Sequence, residues 1–219
     1  MERLEIPRLW ALTDETLQSR FRHDELAVAA WRGGADAVQL RDKIGDAVRR
    51  RATARRLAAL RREFEHARLF LNDDPELAAA VEADGVHVGP EDPPPSVARA
   101  WVGRERLVGY SAGSVEEAEW AEREGVDYLG VGPVYGSRSK SDAGLPLGLP
   151  GLARIVQATR LPVIAIGSVT VERIEEILEQ GAHGVALLSA YCLADDPGAI
   201  VERAAETLRR ALERRGRSW

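Results

Sequence analysis

A single cysteine, Cys192, excludes an internal disulfide and suits a reducing compartment. Its expected place is that of a small buried apolar residue. No apolar run approaches the roughly 20 residues of a membrane-spanning helix, and Met1 to Glu5 lack the pattern of a signal peptide. No basic domain stands apart, and a formal charge of -5 argues against general nucleic-acid binding. The arginines of Ala199–Arg214 do not alter this, because Glu202, Glu206 and Glu213 interleave with them as on a solvated helix face. Low-complexity stretches are absent too, while 45% hydrophobic residues support a full core. No Pro-, Gly- or Ser-rich linker divides the chain; the prolines at 93–95 fit one loop before a helix starting at Ser96. The expectation is one cytoplasmic domain over residues 1–219, with no membrane or nucleic-acid partner. The oligomeric state stays open, a homo-oligomer included.

What the chain does have is a weak internal repeat. Gly34-Ala35-Asp36-Ala37-Val38, Glu82-Ala83-Asp84-Gly85-Val86, Gly125-Val126-Asp127-Tyr128-Leu129 and Gly181-Ala182-His183-Gly184-Val185 each follow a helix-like segment and open a short apolar run. Glycine there suits a helix end, and the apolar run suits a buried parallel strand. The copies lie roughly 40–55 residues apart, room for two βα units each, so four copies predict eight units. This cue places strands at Leu9–Thr13, Ala37–Arg41, Leu69–Asn72, Gly85–Val88, Leu107–Ser111, Tyr128–Val131, Pro162–Ile166 and Gly184–Ser189. Amphipathic helices are predicted over Ala52–Phe64, with Leu57, Leu60 and Phe64 on one face, and over Thr170–Gln180, with Ile174, Ile177 and Leu178 on one face. The fold class is α/β, a single (β/α)₈ TIM barrel. An open doubly wound sheet fits less well, since no G-x-G-x-x-G follows Leu9–Thr13.

Several strands run out into polar residues, and in such a barrel the C-terminal strand ends form the active site. There stand the cations Arg41, Lys43 and Lys140, the hydroxyls Ser137 and Ser139, and the carboxylates Asp73 and Asp92. That mixture suits a pyrophosphate with Mg²⁺, the two aspartates holding the metal. Asp74 is the natural cap of a helix with Pro75 in its first turn, which leaves Asp73 free. Arg41 and Lys43 alternate around Asp42, so both can face the mouth, and Gln39 inside the strand needs a partner. Residues 132–144 read as a mobile lid that brings hydroxyls and an ammonium to an anion. Gly167 and Ser168 after the seventh strand and Ser189 after the eighth stand where barrels habitually bind a monophosphate. His23, His66 and His183 are placed away from the mouth; His87 lies one residue from it. No Cys/His cluster has metal-site spacing, and no nucleophile–His–acid arrangement is visible.

Taken in order, Leu12-Thr13-Asp14, Gln39-Leu40-Arg41-Asp42-Lys43, Asn72-Asp73, Gly85-Val86-His87-Val88-Gly89 with Asp92, Gly132-Pro133-Val134-Tyr135, Ser137-Arg138-Ser139-Lys140 and Leu188-Ser189-Ala190 resemble the thiamine phosphate synthase family over nearly the whole chain. The resemblance implies a (β/α)₈ enzyme that joins hydroxymethylpyrimidine pyrophosphate to hydroxyethylthiazole phosphate and releases pyrophosphate. It implies that Gln39 contacts the pyrimidine, that Arg41, Lys43, Asn72 and Lys140 contact the pyrophosphate, and that Asp73 and Asp92 hold Mg²⁺. Ser137 and Ser139 stand where that family carries threonines, and Ser111 matches a serine ending the fifth strand. Backbone groups at Gly167, Ser168 and Ser189 would receive the thiazole phosphate. Lys140, Ser111 and Arg41 are expected to act on the reaction itself.

The sequence departs from the family pattern at Gly113, where a histidine is usual, at Pro90, where glutamine is common, and at Ser168, the second glycine of a Gly-Gly pair. The missing histidine counts against a thiazole tautomerase, the family's paralogue. A non-catalytic paralogue that binds the same ligands would have lost charged site residues, and none is lost. A phosphate-sugar isomerase would want an acid–base pair at the mouth, and none is convincing.

Overall fold

The computed structural model describes residues 4–136 and 145–216. Eight parallel strands close into a barrel in chain order: β1 (Leu9–Thr13), β2 (Ala37–Leu40), β3 (Arg68–Asn72), β4 (Gly85–Val88), β5 (Leu107–Ala112), β6 (Tyr128–Val131), β7 (Val163–Ala165) and β8 (Gly184–Leu187). Around them run α1 (His23–Arg32), α2 (Ala47–Leu60), α3 (Pro75–Ala80), α4 (Pro95–Val102), α5 (Val115–Arg123), α6 (Gly148–Ala158), α7 (Ile174–Glu179), α8 (Ser189–Cys192) and α9 (Pro197–Glu213). The β1–β8 pairing, with Trp10 opposite Ala186, completes the ring. None of the described helices is long and apolar enough to cross a membrane.

The repeat has a structural cause at the N-terminal rim. Asp36, just before β2, accepts the backbone N–H of Leu9 in β1 at 2.8 Å. Asp84, before β4, accepts that of Leu69 in β3 at 2.8 Å, and Asp127, before β6, accepts that of Val108 in β5 at 2.7 Å. Each aspartate therefore ties an odd strand to the even strand that follows it, satisfying an N–H at the strand start. Arg61 and Arg99 neutralise Asp84 and Asp127. The fourth copy carries His183 instead, whose ring nitrogen meets the Ile6 carbonyl at 2.9 Å.

Alternation along the strands sorts the core. Leu9, Val38, Leu69, Val86, Val108 and Leu129 point outward into the layer packed by the helices. Trp10, Leu12, Phe70, Leu107, Tyr128 and Ile164 form a second cluster. Trp10 is its centre, with ring centroids 4.4 Å from Phe70 and 4.9 Å from Tyr128. His87 fits beside Tyr128 because its neighbours lack side chains: a Cβ on Gly109 would lie 2.1 Å from the Tyr128 ring, and one on Gly130 2.9 Å from His87. Cys192 is buried as expected, its sulfur 3.3 Å from the Leu12 carbonyl, and burial pushes the thiol up to about 12.

Differences from the expected boundaries are short. β2 ends at Leu40, β7 spans only Val163–Ala165 and β8 ends at Leu187, because the ladder continues past these points by single bonds such as Ile166 N–H to Val131 O at 3.0 Å. α2 begins earlier than predicted, at Ala47, where Asp46 accepts the Arg49 N–H, and it ends at Leu60 before a 3₁₀ turn, Arg61–Glu63. Residues 170–180 divide into a 3₁₀ turn, Val171–Arg173, and α7, with Ile174, Ile177 and Leu178 buried as predicted. Asp74 caps α3 through the Leu77 N–H, with Pro75 in the first turn.

Replacing Asp127 with alanine leaves the Val108 N–H buried without an acceptor and Arg99 without its counter-charge. We expect a loss of about 3 kcal/mol of unfolding free energy in urea; a change below about 1 kcal/mol would mean that the tie between β5 and β6 is dispensable.

Candidate functional site

A cavity of about 160 Å³ opens at the C-terminal ends of the strands. Its apolar lining comes from Trp10, Leu12, Tyr128, Ile164 and Ile166. Of the residues expected at the site, Gln39, Arg41, Asn72, Ser111, Gly167, Ser168 and Ser189 all reach it. Ser137, Ser139 and Lys140 lie outside the described residues, as does most of the expected lid.

On the β2–β3 side, the Gln39 and Asn72 side chains make no hydrogen bond among the described residues, although Gln39 is only 4% exposed. A protein partner for Gln39 was expected and none is found among the described residues; two amide groups at the cavity wall are available there to a ligand. Arg41 is also buried and is held by Asp14, which follows β1 and is itself fully buried. Asp14 was not singled out among the site residues, yet the rule applied to the other strand ends would have found it.

Lys43 does not line the cavity; it is half-exposed and pairs with Asp73 on the adjoining rim. Asp42 between them turns away, and its carboxylate takes the N–H groups of Ile44 and Gly45. Asp73 has a positive φ of 66°, and its N–H is fixed to the His87 carbonyl at 2.8 Å. Asp92 accepts the Gly89 N–H at 2.7 Å and shares a side-chain hydrogen bond with Asp73. Pro90 now has a role. Asp92 N–H meets the Gly89 carbonyl at 3.1 Å, so Pro90 and Glu91 are the middle of a β-turn, where proline pre-sets the second position.

Burial, reinforced by the hydrogen bond to Asp73, pushes the Asp92 carboxyl up to about 6. Two carboxylates this close resist joint ionisation, and they relieve that repulsion by sharing a proton or a cation. They fit a hard divalent ion in number, charge and oxygen chemistry. The described residues hold no group of three or more His, Cys, Asp and Glu side chains with metal-binding geometry.

His87 is not incidental. Its Nδ1 lies 3.2 Å from the Tyr128 hydroxyl and its Nε2 2.9 Å from Ser111 Oγ. Burial holds the Tyr128 phenol protonated, and His87 is its acceptor. With the phenol donating to Nδ1, the imidazole proton sits on Nε2 and Ser111 Oγ accepts it, which frees the Ser111 hydroxyl hydrogen for another acceptor. His23, the first residue of α1, is buried and, as expected, is not among the residues that line the cavity. Its Nδ1 is 2.8 Å from Thr13 Oγ1 at the end of β1, with Glu15 and Asp42 beside Nε2. Burial pushes its imidazole down, which keeps it neutral in this acidic setting.

The opposite wall is built from backbone. Gly167 and Ser168 have φ of 103° and 50°, and a Cβ on Gly167 would lie 2.5 Å from Pro133. Among the described residues no acceptor engages the N–H groups of Gly167, Ser168 or Val169, all of which line the cavity. Bare N–H groups at a glycine turn are an anion cradle.

These features generate two expectations. Asp14→Asn leaves Arg41 without its counter-charge and lowers unfolding free energy by up to about 3 kcal/mol, measured by chemical denaturation; an unchanged midpoint would show Arg41 compensated elsewhere. For Asp92 the sign follows from its raised pKa. The folded carboxyl holds its proton to about 6, and the unfolded one only to about 4. Stability therefore falls as pH rises through that interval. Asp92→Asn should flatten this part of the pH–stability curve of the metal-free protein, and an unaltered slope would refute the shift.

Comparison with known proteins agrees with this geometry. A family model described as thiamine monophosphate synthase matches residues 9–191. The thiamine-phosphate synthase of Archaeoglobus fulgidus is 44% identical over 191 residues, covering 86% of this chain and 88% of that protein. That of Salinibacter ruber is 40% identical over 208 residues, covering 95% and 89%. A solved thiamine phosphate pyrophosphorylase from Pyrococcus furiosus superposes with a TM-score of 0.85 at 36% identity, covering 94% of this chain and 96% of its own. The 3-hexulose-6-phosphate synthase of Salmonella typhimurium, at 15% identity and a TM-score of 0.68, shares the barrel alone.

Proposed function

This chain belongs to the thiamine monophosphate synthase family and is a transferase, and we propose that it joins hydroxymethylpyrimidine pyrophosphate to hydroxyethylthiazole phosphate, releasing pyrophosphate. The observation that carries this reading is the two-sided cavity. Among the described residues, amides without partners and Arg41 stand on one side, and backbone N–H groups without acceptors stand on the other. Two anionic reactants held at opposite walls would meet over the apolar floor between them.

Gln39 reads the polar edge of the pyrimidine, whose ring lies against the apolar floor. Arg41 and Asn72 take the pyrophosphate, with Lys43 at the rim and Ser137, Ser139 and Lys140 supplied by the loop beyond the described residues. Gly167, Ser168 and Ser189 receive the thiazole phosphate. The C–O bond to pyrophosphate breaks with its electron pair going to the leaving group, and the thiazole nitrogen lone pair forms the new C–N bond. No protein nucleophile is required. The work is charge stabilisation and alignment, which is why Ser111, Arg41 and Lys140 act as donors rather than as acid–base groups. His87, 2.9 Å from Ser111 Oγ, holds that hydroxyl at the cavity wall.

Asp73 and Asp92 would hold Mg²⁺, which supplies positive charge to the departing oxygens when bound. Lys43 pairs with Asp73 and lowers the local negative charge. The site offers nothing to a tautomerase at the position in question: Gly113 has no side chain, and its N–H is spent on Glu117 at 2.6 Å.

The test is turnover with both purified substrates. Product formation should require Mg²⁺ and fall by at least about 10²-fold in Asp92→Ala. Mg²⁺-independent turnover would remove the metal from the proposal, and binding of both substrates without product would leave a silent paralogue.

A further inference from the structure

The Gly167–Val169 turn presents its N–H groups only while two consecutive residues keep positive φ. Glycine does so freely, but a serine at φ 50° is held against the preference of its Cβ. Something must fix the Ser168 peptide, and the structure shows what does. Arg173, from the 3₁₀ turn before α7, donates from Nη1 to the Ser168 carbonyl at 2.8 Å. Its guanidinium lies over the Tyr135 ring, 4.0 Å from the centroid. Tyr135 is anchored in turn by its hydroxyl to Glu176 on α7, and its N–H takes the Gly167 carbonyl at 3.2 Å. Both carbonyls of the positive-φ pair are thus bonded, by Arg173 and Tyr135, while among the described residues the N–H groups of these cavity-lining residues meet no acceptor.

We propose that Arg173 is a positioning residue: by clamping the Ser168 carbonyl it lets a serine occupy a backbone position suited to glycine, and so preforms the cradle for the thiazole phosphate. Arg173 is not among the residues that line the cavity. The proposal rests on reading this turn as the phosphate site, so its test carries one readout that needs no turnover.

The kinetic arm compares the unaltered protein, Arg173→Ala, Arg173→Met, Ser168→Gly and the double variant Arg173→Ala with Ser168→Gly. Arg173→Met keeps the bulk over Tyr135 and removes the donor, which guards against simple unfolding. Either Arg173 variant should raise KM for the thiazole phosphate about tenfold, with KM for the pyrimidine pyrophosphate changed less than about twofold. In the Ser168→Gly background the same arginine change should cost less than about threefold, since glycine needs no clamp. Equal losses in both backgrounds, or both KM values moving together, would overturn the proposal. The second arm measures ¹⁵N order parameters of Ser168 and Val169 without ligand. They should fall from about 0.85 to below about 0.6 when Arg173 is replaced, and recover in the double variant. Unchanged order parameters would sink the clamp whatever the kinetics say. Absence of turnover in the unaltered protein would instead sink the proposed function and leave this arm to decide on Arg173.

Discussion

The molecule depends on how its strands begin. A parallel strand starts with N–H groups that no neighbour reaches, and here three aspartates supply the acceptors, each reaching back to the strand before its own. Asp36, Asp84 and Asp127 tie the barrel into pairs at the N-terminal rim, so the C-terminal rim does not carry closure alone and adds only local ties such as Asp14 to Arg41. Polar groups gathered there can stay without partners among the described residues, as the Gln39 and Asn72 side chains do. The cavity is the consequence of a barrel that secures itself at the other end.

The interior works by the same division. Trp10, Phe70 and Tyr128 fill the lower barrel, and Gly109 and Gly130 leave the space into which His87 extends above them. Above that level the described residues leave the tube open, lined by apolar residues such as Leu12 and Ile166 together with polar side chains and backbone. A site of this kind is rigid because its floor is core.

Much of this was legible in the sequence. The four-fold repeat gave the barrel, and the polar strand ends gave Gln39, Arg41, Asn72, Asp73 and Asp92 at one rim. The aspartates within the repeat were visible as a pattern, but their bonds were not, since the acceptor and its N–H lie 15 to 27 residues apart. Asp14 escaped because β1 was read for its apolar run and not for its end. His87 and Tyr128 are 41 residues apart and meet only through the register of β4, β5 and β6. Ser168 was read as a departure from the glycine pair, and Arg173, which accommodates it, carries no local mark.

One buried atom has a practical side. Cys192 is the chain's only thiol, enclosed between β1 and α9 with its proton held to about 12. A thiol that does not ionise is inert to alkylating reagents and slow to oxidise. To sulfur chemistry the folded surface is therefore blank. A cysteine introduced at an exposed position such as Glu206 would be the one reactive sulfur on the protein, so fluorophores or spin labels could be attached singly without first removing anything native.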